Sequence, residues 1–375
     1  MKLKRLILAG GGHAHVEVLR AFGAKPVSEV DVTLVTPETD AAYSGMLPGL
    51  VAGHYSWREA HIDLTALVRY AGARIKSTRI VGINPGERQV LCADRRVLDY
   101  DVLSLDIGST PPLDDVEGAS QHGVGVKPVE SFLEVWDALC AEARERALRV
   151  AVVGGGAGGV ELCLAMRHRL RQESGVAAQT DFTLVTQGTA IVPEHPVSVR
   201  HRLERALARN GVGLLAGLRV VRVEADGLTL DGGARVPADC VVWATGAAAP
   251  EWLARSGLAL DERGFVLVDE MLRSTSHPDV FAAGDVATMH EHPRPKSGVF
   301  AVRQGPPLAE NLRLALTGDP LKRFRPQRRA LSLISTGRRH AVAAWGGVSF
   351  QGWWVWRWKN SIDRKFMARY VVGTK

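Results

Sequence analysis

Residues Val150 to Glu161 read VAVVGGGAGGVE, an apolar run that breaks into glycines and resumes as a helical pattern. Gly154, Gly156 and Gly159 satisfy G-x-G-x-x-G directly after a strand and before a helix, where backbone amides and a helix N-terminus can close around a pyrophosphate. A dinucleotide-binding βαβ unit is expected here. The next strand, Phe182 to Val185, ends at Thr186 and Gln187. Neither the acid that favours NAD nor the arginine that favours NADP stands there, so nucleotide preference stays open.

Towards the N-terminus the same pattern returns in weaker form. Leu6 to His15 reads LILAGGGHAH, followed by a helix over Val16 to Phe22 and a strand over Asp31 to Val35. Thr36 stands where an acid usually meets the ribose hydroxyls, with Glu38 two residues on, and His15 stands in place of the third glycine. The helix should then sit further from its strand, or the imidazole should point outward. His13 and His15 read more readily as polar loop residues than as ligands or acid/base groups. Ala42 to Gly53, with Tyr43, Pro48 and several glycines, suggests a loop folded over something, and it holds no cysteine.

Val97 to Ser109 gives a strand ending in a small-residue turn at Gly108, and Pro111 and Pro112 mark a linker. Ser131 to Ala147 has a helical pattern. Ala238 to Gly246 (ADCVVWATG) is a strand with an end like that near Gly108, so two similar units are expected, one inserted in the other. The expected fold class is α/β, with two Rossmann-like domains and a C-terminal α+β region. The expected division is 1–125 with 247–320, then 126–246, then 321–375.

At 375 residues and 46% hydrophobic content the chain can bury a sizeable core. Its four cysteines are far apart and form no CxxC pair, which argues against a zinc site or a disulfide framework, so no metal is expected. The apolar start is too short for a signal peptide, and no stretch is long enough to span a membrane. The net charge of +7 is uneven: Leu321 to Lys375 holds 13 Lys and Arg against one acid, Asp363. Such a patch suits anionic lipid, nucleic acid or an acidic partner, or is a solvated face.

Two glycine loops, an ATG strand end and VFAAGD (Val280 to Asp285), in this order, resemble the flavoprotein reductases with two dinucleotide-binding domains, the pyridine nucleotide-disulfide oxidoreductase superfamily. The chain is most similar to the branch of type II NADH dehydrogenases and sulfide:quinone reductases. GGGHAHVEVLR, YSGMLPG, VFAVRQGPPLAENL and WRWKNSIDRKFM bring it nearest to the flavoproteins fused ahead of selenide, water dikinase.

The resemblance implies FAD on the first loop, at Gly10, Gly11, Gly12, His13 and Ala14, with Thr36, Gly108, Gly284, Asp285 and Gly305 completing the site. Gly305, Pro306 and Pro307 would start a helix whose N-terminus faces the flavin pyrimidine ring. It implies NAD(P)H at Gly154, Gly156, Gly159 and Gly246. Glu161 would face the nicotinamide, although a helix acid near an N-terminus is an equal reading, and Gln304 is a second catalytic candidate. Lys127 reads as a surface linker lysine.

The superfamily's redox cysteine pair would lie at Tyr43 to Pro48, where none stands, so disulfide and sulfide chemistry are put in doubt. A quinone or another small acceptor remains, with a selenium- or sulfur-linked reductase and a non-turnover docking flavoprotein as alternatives. Trp354, Val355, Trp358, Ile362 and Phe366 share one apolar arc of a helix, with Arg357, Lys359, Asn360, Asp363 and Arg364 elsewhere. The segment Trp353 to Tyr370 could meet an anionic membrane surface, or pack on the flavin domain or a second subunit of a homodimer. A cytoplasmic protein, peripheral on the inner membrane face, is expected. Nucleic-acid binding is not, because the aromatics are spaced for a helix rather than a sheet.

Overall fold

Leu6 to Ala9 and Val150 to Val153 are buried along their whole lengths, as strands covered on both faces must be, and each is the middle strand of a parallel sheet. The computed structural model describes residues 3–173, 175–327 and 330–372.

Along the chain run β1 (Lys4–Ala9), α1 (His13–Ala24), β2 (Val30–Thr36), β3 (Arg74–Ser77) and β4 (Val102–Leu105). Then come β5 (Gly123–Gly125), α2 (Val129–Glu145), β6 (Arg149–Val153), α3 (Ala157–Gln172), β7 (Asp181–Thr186), β8 (Val212–Ala216) and β9 (Cys240–Trp243). The last are β10 (Val280–Ala282), α4 (Gly298–Thr317), β11 (Ser332–Thr336), β12 (Arg338–Trp345), β13 (Val348–Gly352) and α5 (Trp353–Ala368).

The first sheet has the order β10-β4-β1-β2-β3 and the second β5-β9-β6-β7-β8, with every neighbouring pair parallel. In each, three successive strands advance to one side of the glycine loop and the next is laid on the other. The crevice at that reversal, beyond the carboxyl ends of the strands, is where open α/β sheets take ligands. The second unit is inserted in the first, because β10 returns to the first sheet after β9. β5, on the N-terminal side of residue 126, pairs with β9.

The C-terminal segment is α+β: β11, β12 and β13 form an antiparallel sheet, and α5 packs on β12. Among the described residues no helix is long and apolar enough to cross a membrane. One expected boundary is corrected: α4 starts at Gly298, so Gly305, Pro306 and Pro307 lie inside it. The two prolines leave the carbonyls of Val302 and Arg303 without intrahelical donors. A Cβ on Gly305 would stand 2.7 Å from the Cβ of Glu17, so this glycine lets α4 approach α1.

Candidate dinucleotide and acceptor sites

The two glycine loops are superimposable in logic and different in chemistry. A Cβ on Gly10 would lie 2.5 Å from the Asp106 carbonyl oxygen, and one on Gly154 would lie 2.5 Å from that of Ala244, so Asp106 and Ala244 hold equivalent places beyond β4 and β9. Both glycines have positive φ, +92° and +136°. A Cβ on Gly159 would meet the Gly154 carbonyl at 2.1 Å, the close helix–strand approach the motif demands. Among the described residues nothing beyond its own chain neighbours lies within 4 Å of a Cβ built on Gly156, and Gly156 caps α3 without a side chain. That open, amide-lined start fits a pyrophosphate. Gly246, beyond β9, adopts a φ of +25°.

In the first unit His15 occupies the place of Gly159. The outward imidazole is corrected: the ring is fully buried beneath the loop. Nδ1 lies 2.7 Å from the Gly10 carbonyl oxygen and Nε2 lies 2.8 Å from Ser104 Oγ. Burial pulls its pKa down to about 4, so the ring is neutral. A carbonyl can only accept, hence Nδ1 carries the proton and Nε2 accepts from the Ser104 hydroxyl.

Asp106 is the residue that sequence reading missed. Its Oδ2 accepts from the amides of Ala14 (2.8 Å) and His15 (3.0 Å), capping α1 where Gly12 has no side chain to do so. The carboxyl also stands 2.3–2.4 Å from a Cβ built on Gly12, and its Oδ1 2.4 Å from one built on Gly284. Burial pushes it up to about 7. The signal lay in reading Leu105-Asp106-Ile107-Gly108 against Trp243-Ala244-Thr245-Gly246, which puts an acid where its twin has a methyl group.

The amides of Gly11 and Gly12 have no hydrogen-bond partner among the described residues. Thr36, at the end of β2, donates to Glu38 Oε2 (2.9 Å), which returns a carboxylate to the strand end. Gly108 turns with φ +72° and nothing near its missing Cβ. The free amides of Gly11 and Gly12, the open turn at Gly108 and a carboxylate at the β2 end fit FAD.

Gly284 and Asp285 form the opposite wall. The Gly284 amide donates to Gln304 Oε1 (2.7 Å), which pins this turn to α4. Lys127 donates to Asp285 Oδ2 (2.6 Å) and Ser109 Oγ (3.1 Å). It is exposed, as a linker lysine would be, and it also joins the inserted unit to the first. Lys296 was also unforeseen: its Nζ stands 3.9 Å from the Phe265 ring centre, donates to the Ala287 carbonyl and Thr288 Oγ1, and is pulled down to about 8 by burial.

The loop around Tyr43 meets α5. Tyr43 stacks on Phe366 at 4.3 Å between centroids, and His13 lies 5.6 Å from Tyr43. Burial holds His13 down at about 4, with Asp285 opposing, so it too is neutral. The expected polar face of α5 is corrected in part: Lys359 and Asp363 point into the protein. They pair at 2.8 Å because Lys359 also donates to the Gly45 carbonyl and Tyr43 donates to Asp363 Oδ1 (3.3 Å). Val355 and Phe366 are buried, while Trp353, Trp354, Trp358 and Ile362 stay exposed. Glu161, one turn into α3 and partly buried, accepts from the Ser335 amide (2.6 Å) and so ties the second unit to β11. Burial raises its pKa, with Lys359 opposing. All four cysteines are free thiols, none in the Tyr43 loop.

Residues 4–305 match the pyridine nucleotide-disulphide oxidoreductase family. The chain is 25% identical to the mitochondrial external alternative NAD(P)H-ubiquinone oxidoreductase B4 of Arabidopsis thaliana, over 78% of this chain and 55% of that protein. It thus spans about half the length of that relative. It is 23% identical to a demethylphylloquinone reductase of Synechocystis sp., over 93% of this chain and 88% of that one. Its fold is similar to that of the sulfide:quinone oxidoreductase of Aquifex aeolicus, with a TM-score of 0.81, 17% identity and coverage of 98% and 91%. The chain belongs to the pyridine nucleotide-disulphide oxidoreductase family.

Proposed function

We propose that the protein passes reducing equivalents from NAD(P)H through FAD to a quinone-type acceptor. The observation that carries this reading is the thiol-free aromatic face where Tyr43 stacks on Phe366, backed by the Lys359–Asp363 pair. A quinone needs a flat apolar surface and takes up two protons with two electrons. Here the Tyr43 hydroxyl is a proton carrier hydrogen-bonded to a carboxylate, within the aromatic wall itself. The names of the plant, cyanobacterial and Aquifex proteins all specify quinones, which supports the same acceptor.

FAD, when bound, supplies the two-electron relay between nicotinamide and acceptor. In this reading residues 1–125 with 247–320 carry the flavin, 126–246 the nicotinamide nucleotide, and 321–375 the face towards the acceptor. Gly10, Gly11, Gly12, His13 and Ala14 receive the FAD pyrophosphate, Thr36 with Glu38 the ribose, and Gly108, Gly284 and Asp285 the ribityl side. Gln304 positions the Gly284 turn. Gly305 serves helix packing rather than the flavin. Gly154, Gly156, Gly159 and Gly246 receive NAD(P)H, and Glu161 orients the hairpin that closes over that side.

Trp353, Trp354 and Trp358, with Trp345 and Phe350 of the hairpin, form an exposed aromatic rim among Arg357 and Lys365. This suits an anionic membrane surface, where quinones reside.

Stopped-flow mixing of the holoprotein with NADH or NADPH, then with a short-chain quinone, tests the reading. Flavin bleaching followed by reoxidation is expected. No bleaching would overturn the reductase reading. Reoxidation only by selenium or sulfur compounds would move the acceptor to the class that the resemblance to selenide, water dikinase-fused flavoproteins suggests. Flotation with anionic vesicles should be lost in a Trp353→Ser/Trp354→Ser/Trp358→Ser variant, whereas unchanged flotation or a dimer held by this rim would remove the membrane.

A further inference from the structure

Helix α1 meets the flavin crevice with two of its first amides already given to an acid. Asp106 Oδ2 takes the Ala14 and His15 amides, while Oδ1 is lodged between Gly12 and Gly284, the two segments that wall the crevice. The Gly11 and Gly12 amides just before them have no protein partner among the described residues. Any diphosphate received there comes within contact range of Asp106 Oδ1.

Among the described residues no cation is paired with the carboxyl. From α1 come His13 and His15, both neutral. β4 contributes the Ser104 hydroxyl, which is committed to His15. From the Gly284 turn comes Asp285, whose negative charge raises the affinity of Asp106 for its proton. Lys127 is paired with Asp285, Lys296 donates to the Ala287 carbonyl and Thr288 Oγ1, and α4 brings the neutral Gln304 to the Gly284 turn beside Arg303. A carboxylate and a diphosphate side by side in this setting would repel strongly.

We propose that Asp106 binds the FAD pyrophosphate as a neutral acid, its Oδ1–H donating to a phosphoryl oxygen, so that flavin binding takes one proton from solution. The inference rests on the placement of FAD at the first glycine loop. Oδ2 keeps the two helix amides in both states, which leaves Oδ1 as the atom that carries the proton. The proton balance is simple: the ionised acid of the free protein gains one proton as the diphosphate enters, and releases it when FAD leaves. Burial already holds this acid near neutrality, so the coupling falls within the working range of pH.

The sign follows from linkage. A group whose affinity for protons is higher in the complex makes binding favourable at low pH and weakens it as pH rises through the pKa of the free protein. The FAD dissociation constant of the apoprotein, read from quenching of flavin fluorescence, should be flat below about pH 7 and rise about tenfold per pH unit above it. Calorimetry in two buffers of different ionisation enthalpy, on the unaltered protein at pH 8, should show uptake of close to one proton per FAD. Asp106→Asn should bind FAD with a flat profile over the same range, because its amide donates without titrating. Tight binding with a flat profile and no proton uptake in the unaltered protein would overturn the inference alone. Absence of FAD binding at every pH would overturn the placement of the flavin and the inference with it.

Discussion

Lys127 Nζ stands 2.6 Å from Asp285 Oδ2 and ties the segment entering the inserted unit to the VFAAGD turn of the first. The lysine is 43% exposed and the aspartate 15%, so the pair adds little to stability, under about 1 kcal/mol. In the proposed reaction its value is positional, since hydride transfer would depend on the relative placement of the two nucleotides that the two units are proposed to hold. Lys127→Met should leave the thermal midpoint within a few degrees of the parent while slowing flavin bleaching by NAD(P)H about tenfold. Unfolding at a much lower temperature with an unchanged bleaching rate would show the pair to be structural.

The glycines of the second loop divide into two kinds. Gly156 has open space around its missing Cβ, so Gly156→Ala should fold with stability within about 1 kcal/mol of the parent, yet bind NAD(P)H more than tenfold more weakly. Gly159→Ala places a Cβ 2.1 Å from a backbone carbonyl and should lose about 3 kcal/mol or more. Urea titration and nucleotide-binding isotherms separate the two effects, and equal stabilities for both variants would contradict the loop geometry.

Burial holds His15 at about 4 in the folded chain, against about 6.5 when unfolded. Between these values the unfolded chain binds a proton that the folded one refuses, so stability falls as pH falls from about 6.5 to 4, and is fully present above 6.5. The contribution is about 1.4 kcal/mol per pH unit. His15→Gln should cost stability at pH 7 by breaking the bridge from Gly10 to Ser104, and should show a shallower acid decline than the parent in denaturant titrations. Parallel declines would mean that the imidazole is not kept neutral.

Tyr43→Phe keeps the stack on Phe366 and removes only the hydroxyl that reaches Asp363. Flavin bleaching should stay within twofold, whereas reoxidation by quinone should slow about tenfold and change its solvent deuterium isotope effect. Equal effects on both half-reactions would place Tyr43 outside the acceptor chemistry.

The local sequence was enough for the two βαβ openings, their order and the insertion of one in the other. Those features depend on apolar runs, glycine spacing and turn chemistry between near neighbours, and the parallel sheets and the crevice positions follow from them. It also carried the absence of a thiol from the Tyr43 loop, which needs only the identity of the residues. The tertiary structure decided everything that joins distant segments: Asp106 on the amides of α1, His15 between Gly10 and Ser104, Lys127 on Asp285, and Lys359 with Asp363 turned inward against Tyr43. Helical periodicity marks charged residues as outward, but it does not register that a tyrosine and a carbonyl more than 300 residues away supply the partners that make burial tolerable. The same holds for α4, where prolines that signal a helix start in isolation lie within the helix that packs, through Gly305, on α1.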